Sequence, residues 1–175
     1  MMNHKIIVEG PDNCAKTTIA QVLSEKLGIP VYKSGREADI FHEEDAQFNV
    51  LKWGVYEQIR TIEILDASII FDRFFPSEYA YAKTYDRNTD YGLIDRYDKW
   101  WSEMNGVIIF LDKPEMDGED DLIKSSEYYT IRTHYNFYRN ALTKCKTLFI
   151  DTSDYNLDKQ INTILNFLKS GDEHE

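Results

Sequence analysis

Cysteine is scarce in this chain: Cys14 and Cys145 are the whole supply among 175 residues. Two thiols so far apart have no metal-ligand spacing, so they read as free thiols of a reducing compartment. Long apolar runs are lacking as well. No segment approaches a membrane span, and the N-terminal residues lack the apolar core of a signal peptide. A cytoplasmic chain is therefore the expectation. Positive charge is in deficit, with Lys+Arg at 20 against Asp+Glu at 31 and a formal net charge of −11. That balance argues against passive affinity for nucleic acid, because phosphate neutralisation drives such binding. A local basic pocket within an acidic shell stays compatible with it. The surplus acid sits in Glu43-Glu44-Asp45, in 115–121 and in Asp172-Glu173-His174-Glu175, and it reads as solvated surface.

The length is enough for one domain with a sizeable core, and the hydrophobic fraction of 42% is ordinary for a globular protein. We read a single domain over 1–170, with a lid at about 113–125 and an acidic tail at 171–175. Strands are expected at 5–9, 31–33, 68–72, 107–111 and 147–150. Helices are expected at 17–27, from about 44 to 65, from Pro76 onward, and over 93–104, 127–142 and 156–168. Apolar strands alternating with helices predict an α/β fold: a parallel sheet with helices on both faces. In such a sheet ligands bind beyond the C-terminal strand ends. Glu9-Gly10, Lys33, Asp72-Arg73, Asp112 and Asp151 would share that rim.

The most informative stretch is Ile6-Ile7-Val8-Glu9-Gly10-Pro11-Asp12-Asn13-Cys14-Ala15-Lys16-Thr17-Thr18. An apolar run ends in a glycine, and a Lys-Thr pair opens a helical pattern. That is the layout of a P-loop, in which backbone N–H groups and a helix N-terminus cradle phosphates. Lys16 is placed to reach the β- and γ-phosphates, and the Thr17 hydroxyl to ligate Mg²⁺. The glycine that usually precedes the lysine is replaced by Ala15, which adds a methyl group and disfavours positive φ. A second stretch is Phe71-Asp72-Arg73-Phe74-Phe75-Pro76-Ser77-Glu78-Tyr79-Ala80-Tyr81. Two charges just past a buried strand are costly unless paired. The carboxylate suits Mg²⁺ or its waters, and the guanidinium suits a phosphate. Alternatively the two pair with each other beside core aromatics.

Together these motifs make the chain resemble the thymidylate kinase family, within the P-loop deoxynucleoside and deoxynucleotide kinases. The family's opening Glu-Gly-x-Asp-Gly-x-Gly-Lys-Thr-Thr stands here as residues 9–18, with Asn13 and Ala15 replacing both inner glycines. Its Asp-Arg-aromatic-x-x-Ser-x-x-Ala-Tyr stands as Asp72-Arg73-Phe74, Ser77, Ala80 and Tyr81. Arg36-Glu37 resembles the Arg-Glu-Pro loop, with Ala38 in place of proline, and Ile131-Arg132 with Tyr135 resembles the Val-Arg-x-x-Tyr pattern after the lid.

The resemblance implies a three-layer P-loop kinase fold with a five-stranded parallel sheet, ATP as phosphoryl donor and Mg²⁺ as cofactor. It implies that Gly10, Asn13, Cys14, Ala15, Lys16, Thr17 and Thr18 hold the donor phosphates. Thr17 and Asp72 would hold the metal. Arg73 and Arg36 would grip the acceptor's phosphate, and Asp12 would lie near its sugar or the metal's waters. Phe74, Ser77 and Tyr81 would flank the acceptor base, with Trp53 or Phe48 stacking on it unless that tryptophan is core. The family's catalytic arginine is missing, since Asn13 occupies its P-loop position and 113–125 contains Lys113 and Lys124 but no arginine. Lys124, Arg132 or Arg139 would have to substitute, with surface pairing the simpler role for Arg139. A homodimer is expected by analogy with the family, with small-molecule nucleotides as partners. Three functions compete: a thymidylate-like deoxynucleoside monophosphate kinase; a kinase for a nucleoside or the hydroxymethyl group of a modified base, free or in DNA; and a nucleotide-binding protein without turnover.

Overall fold

A computed structural model describes residues 3–33, 50–115 and 125–170. The elements run β1 (Lys5–Glu9), α1 (Lys16–Leu27), β2 (Val31–Lys33), α2 (Tyr56–Leu65), β3 (Ile69–Asp72), α3 (Phe75–Tyr85), α4 (Tyr91–Glu103), β4 (Val107–Asp112), α5 (Ser125–Phe137), β5 (Lys146–Asp151) and α6 (Leu157–Ser170). π-helical turns lead into α2 at Val50–Val55 and leave α5 at Tyr138–Leu142. The long helix expected from about 44 to 65 is therefore described only from Val50, and its first turns are π rather than α.

All pairings are parallel, in the order β2-β3-β1-β4-β5. This is the three-layer P-loop kinase arrangement that the sequence predicts. The alternation of the central strands builds the layers. Ile7, Phe71, Ile108 and Phe110 face one core with residues of α2, α3, α4 and α5. Ile6, Val8, Ile70, Ile109 and Leu111 face the other, with α1 and α6. Truncating any of these to alanine would cost about 2–5 kcal/mol.

The register decides what the C-terminal edge presents. Val8 lies opposite Asp72, and Glu9 opposite Phe110, so the chain leaves β1 between the ends of β3 and β4. Gly10 makes this exit at φ +144, and a Cβ there would lie 2.1 Å from the Leu111 carbonyl oxygen. Only glycine fits that close approach. Proline in the first turn starts α3, and Asp90 caps α4 by accepting from the Leu93 N–H at 2.9 Å.

Candidate active site

The loop after β1 is wound by residues in the left-handed region. Asn13 has φ 60, and Ala15, at the cap of α1, has φ 57 and ψ 22. Alternation of hand over successive residues turns amide groups toward one concavity, which suits an anion. Ala15 thus adopts a backbone conformation usually left to glycine. Lys16 is buried, and its Nζ donates to the Pro11 carbonyl across the loop. Burial, then the Arg73 charge, pulls its pKa down to about 8. The Thr17 hydroxyl donates to Asp72 Oδ2 at 2.6 Å, and Lys33 Nζ stands 4.0 Å from the same oxygen. Asp12, Asn13, Ala15, Lys16, Thr17, Thr18, Lys33, Asp72 and Arg73 line a cavity of about 240 Å³.

A hydroxyl and a carboxylate side by side are hard oxygen donors. Mg²⁺ typically takes one or two such protein ligands and completes its shell with water and phosphate oxygens. Thr17 and Asp72 fit that role, and the neighbouring amides and lysines fit a polyphosphate.

The second cluster centres on Arg73, which leaves β3 at φ +67. A non-glycine residue in that conformation costs about 1–3 kcal/mol and needs outside support. The support is dense. Arg73 Nη2 donates to Asp12 Oδ1, and Nη1 donates to the Tyr135 hydroxyl at 3.2 Å and the Gly10 carbonyl at 3.4 Å. The Tyr81 hydroxyl donates to Asp12 Oδ2 at 2.6 Å, and the Arg73 guanidinium lies 5.3 Å from the Tyr81 ring centroid. Beneath them Glu9 is fully buried. It accepts from the Phe74 N–H at 2.7 Å, the Ser77 hydroxyl at 2.7 Å and the Tyr135 hydroxyl at 3.1 Å. Burial raises the Glu9 pKa against the pull of Arg73 and these donors. Burial acts upward on Asp12 too, but Arg73, Tyr81 and Lys16 outweigh it and hold Asp12 below the usual carboxylate range. Burial opposes the Arg73 charge, yet Tyr135, Tyr81, Asp12 and Glu9 hold its pKa above the ordinary value.

A second cavity, of about 360 Å³, is lined by Asp12, Arg73, Ser77, Tyr81, Glu78 and Arg87, with Val50, Leu51, Val55, Phe74 and Phe75 as its apolar walls. Asp12 and Arg73 belong to both cavities, so the two spaces meet at that ion pair.

The structure brings together Asp12, Asn13, Ala15, Lys16, Thr17, Thr18, Asp72 and Arg73 in the first cavity, and Asp12, Arg73, Phe74, Ser77 and Tyr81 in the second. Phe74 is nearly buried and stacks on Phe71 at 3.9 Å, so it forms a wall continuous with the core. Gly10 shapes the exit from β1. Cys14 is buried, with its thiol 3.8 Å from the Tyr128 hydroxyl, and burial pushes its pKa up. Trp53 lines neither cavity and is not core. It is 53% exposed, with Lys52 Nζ 5.2 Å from its ring. Arg132 lines neither cavity; its Nε and Nη2 grip both Asp112 oxygens at 2.6 Å. Arg139 lies over the Phe149 ring at 4.1 Å. Arg36, Phe48, Lys124 and most of the expected lid lie outside the described residues.

Several site residues escaped the sequence reading. Val50, Leu51, Val55 and Arg87 join the second cavity from segments with no motif, and Glu78 joins it from an unassigned position within the Asp72-Arg73 stretch. Glu9 had a signal, a carboxylate closing a fully buried strand, which demands internal partners. Lys33 was placed on the rim but given no role.

A five-stranded parallel sheet with this loop after its first strand is the fold of the P-loop kinases, and solved structures that share it include a deoxyadenosine kinase and a thymidylate kinase. The crystal structure of Bacillus subtilis YorR in complex with phosphorylated GDP superposes with a TM-score of 0.70 at 22% identity, covering 97% of this chain and 98% of that one. Deoxyadenosine kinase from M. mycoides, with dCMP and a flexible dCDP bound, gives a TM-score of 0.60 at 20% identity over 95% and 99% of the two chains. Thymidylate kinase from Candida albicans gives a TM-score of 0.67 at 15% identity over 99% and 94%. In sequence, the SPbeta prophage-derived protein YorR of Bacillus subtilis (strain 168) is 33% identical over 92 residues, 51% of this chain. That match spans about half of the relative's own length, 47%. No family model matches the chain.

Proposed function

We propose that this chain transfers a phosphoryl group from ATP to a deoxynucleoside monophosphate, with a thymidylate-like acceptor as the first candidate. The observation that carries the reading is the meeting of two cavities at Asp12 and Arg73. One is lined by a phosphate-type loop and the other by apolar walls together with polar groups. Phosphoryl transfer needs that arrangement, because the protein's task is to align two reactants and neutralise charge.

In this account the triphosphate lies along residues 12–18. Lys16 turns from the Pro11 carbonyl to the transferring phosphoryl group and offsets its charge. Thr17 and Asp72 would hold Mg²⁺, which when bound neutralises phosphate oxygens. Arg73 orients the acceptor's phosphate, with Glu9, Ser77 and Tyr135 fixing its position. An acceptor phosphate oxygen bonds to the γ-phosphorus as the bond to the β–γ bridging oxygen breaks, and ADP departs. That oxygen is already ionised at neutral pH, so no general base is required. Asp12 would lie near the acceptor sugar, and Tyr81, whose hydroxyl donates to Asp12, would flank the base.

A second reading is favoured by Asp12 itself. An ionised carboxylate at the junction is what a hydroxyl acceptor would need, as in a nucleoside or a hydroxymethylated base, free or in DNA. The structural neighbours hold guanine and cytosine nucleotides, so both base classes belong in the acceptor panel.

The test is ADP release from ATP with each deoxynucleoside, each deoxynucleoside monophosphate and hydroxymethylated DNA. Turnover stimulated by one or more monophosphates is expected. Stimulation by nucleosides or modified DNA alone would replace the first reading with the second. Nucleotide binding with only background turnover on every acceptor would leave a binding protein.

A further inference from the structure

The cations of the phosphate-loop cavity are not equally committed. Lys16, Lys33 and Arg73 line it, with Asp12 and Asp72 as its carboxylates. Arg73 is held by Asp12, the Tyr135 hydroxyl and the Gly10 carbonyl, and Lys16 is buried on the Pro11 carbonyl. Lys33 is held far more loosely. Its Nζ stands 4.0 Å from Asp72 Oδ2, the outer reach of an ion pair, and its side chain is 56% exposed. That same oxygen already accepts from the Thr17 hydroxyl at 2.6 Å. A pair so long and so exposed contributes little to stability.

Sheet register puts the lysine in this cavity. β2 and β3 run parallel, with Lys33 opposite Asp72 and Val31 opposite Ile70. Side chains two residues apart on a strand share a face. Val31 and Ile70 pack with the core beneath α1 and α6, so Lys33 and Asp72 continue that face to the strand ends beside the phosphate loop. Tyr32 packs against the opposite core. A slip of one residue would turn Lys33 away from the loop.

We propose that Lys33 is a second cation for the transferring phosphoryl group: its ammonium leaves Asp72 and contacts the γ-phosphate oxygens of the bound triphosphate. This deepens the kinase reading and rests on it for the chemical step.

The grounds are charge and reach. Without Lys33 the charged side chains lining the cavity balance; with it they carry one positive charge in excess. A triphosphate brings several negative charges to that space, and Arg73 and Asp12 already neutralise each other at the junction. The loop 12–18 supplies one cation, Lys16. Arg132 is gripped by both Asp112 oxygens and lines neither cavity. Lys33 lines the phosphate-loop cavity and not the second one, which puts it on the donor side. Its flexible four-carbon stem and three N–H donors let it reorient when its partner is engaged elsewhere. Asp72 and Thr17 are the pair that would hold Mg²⁺, and a carboxylate so engaged has less to offer the ammonium. Lys33 forms no covalent bond and gives up no proton. While the γ-phosphorus passes from the β–γ bridging oxygen to the acceptor oxygen, the ammonium offsets charge on the peripheral oxygens.

The experiment compares wild type, Lys33→Met and Lys33→Arg on the full chain. Single-turnover rates are measured with ATP and the best acceptor at saturating Mg²⁺, and calorimetry measures binding of ADP and of a non-hydrolysable ATP analogue. Lys33→Met should keep its melting temperature and lower the single-turnover rate by about 10²-fold. It should weaken the ATP analogue by about tenfold and ADP by less than about twofold, because only the analogue carries a γ-phosphate. Lys33→Arg should regain part of the lost rate. The inference is overturned if Lys33→Met leaves the rate unchanged, or weakens ADP and the analogue alike. It is equally overturned if raising Mg²⁺ further restores the variant's rate, since the lysine would then act only on Asp72. Nucleotide binding without turnover in the wild type would sink the kinase reading alone, provided Lys33→Met still loses the analogue and keeps ADP. No binding of either nucleotide would sink both.

Discussion

The two cavities at the sheet's edge were built in opposite ways. The phosphate-loop cavity takes most of its lining from one run, residues 12–18, joined by the ends of β2 and β3. The second cavity draws on residues 12, 50–55, 73–81 and 87, and its walls at 50–55 and 87 come from segments with no recognisable pattern. Backbone geometry makes the first, through left-handed residues and a helix start. Side-chain packing makes the second. A site defined by backbone shape is written in consecutive residues, whereas one defined by packing depends on which distant segments meet.

Changes to the first cavity should therefore act on chemistry and folding, and changes to the second on acceptor selection. The largest effect belongs to Lys16→Ala, which should lower phosphoryl transfer by about 10³-fold or more in steady-state assays with the melting temperature retained. Next is Gly10→Ala. A Cβ 2.1 Å from the Leu111 oxygen forces the loop and β4 apart, so chemical denaturation should show a loss of about 3 kcal/mol. Arg73→Ala should then separate the two spaces. Acceptor kcat/KM should fall about 10²-fold for a monophosphate, with ATP affinity changed much less. An equal loss for ATP would mean that the boundary is drawn in the wrong place.

A smaller effect comes from protonation. Lys16 is held at about 8 when no phosphate is near, and a bound triphosphate would raise it. The bound state then keeps the proton that the free state loses as pH climbs through that value. ATP affinity should fall about tenfold between about pH 7 and about pH 9, with proton uptake on binding seen as a buffer-dependent heat in calorimetry. The smallest effect is Ala15→Gly. Relieving the left-handed alanine should raise stability by about 0.5–1 kcal/mol after the added entropy of the unfolded glycine, with activity held or increased. A collapse of activity would mean that the alanine itself shapes the loop.

The same contrast explains what could be read from the chain alone. The strands and the P-loop were legible because alternation, glycine position and the Lys-Thr pair are local signals. Tyr135 entered only as a motif letter, and its contact with Arg73 and Glu9 required α5 to cross the edge of the sheet. Trp53 was placed by resemblance to the family as an aromatic of the long helix, but it lies two residues from both Leu51 and Val55, on the opposite face of the turn at Val50–Val55. Leu51 and Val55 point inward and Trp53 stays outside. Arg132 was offered as a substitute for the missing arginine from a motif after the lid, and Asp112, at the end of β4, pairs with it through both oxygens. Glu78 and Arg87 lie nine residues apart and pair across the end of a helix, a separation that no spacing rule flags.

The central claim is that donor and acceptor occupy adjoining spaces that share one ion pair. Calorimetry with a non-hydrolysable ATP analogue and the preferred deoxynucleoside monophosphate tests it most directly. Each should bind with unit stoichiometry, and saturating one should leave room for the other in a ternary complex. Mutual exclusion, with each ligand displacing the other from a single site, would contradict the account.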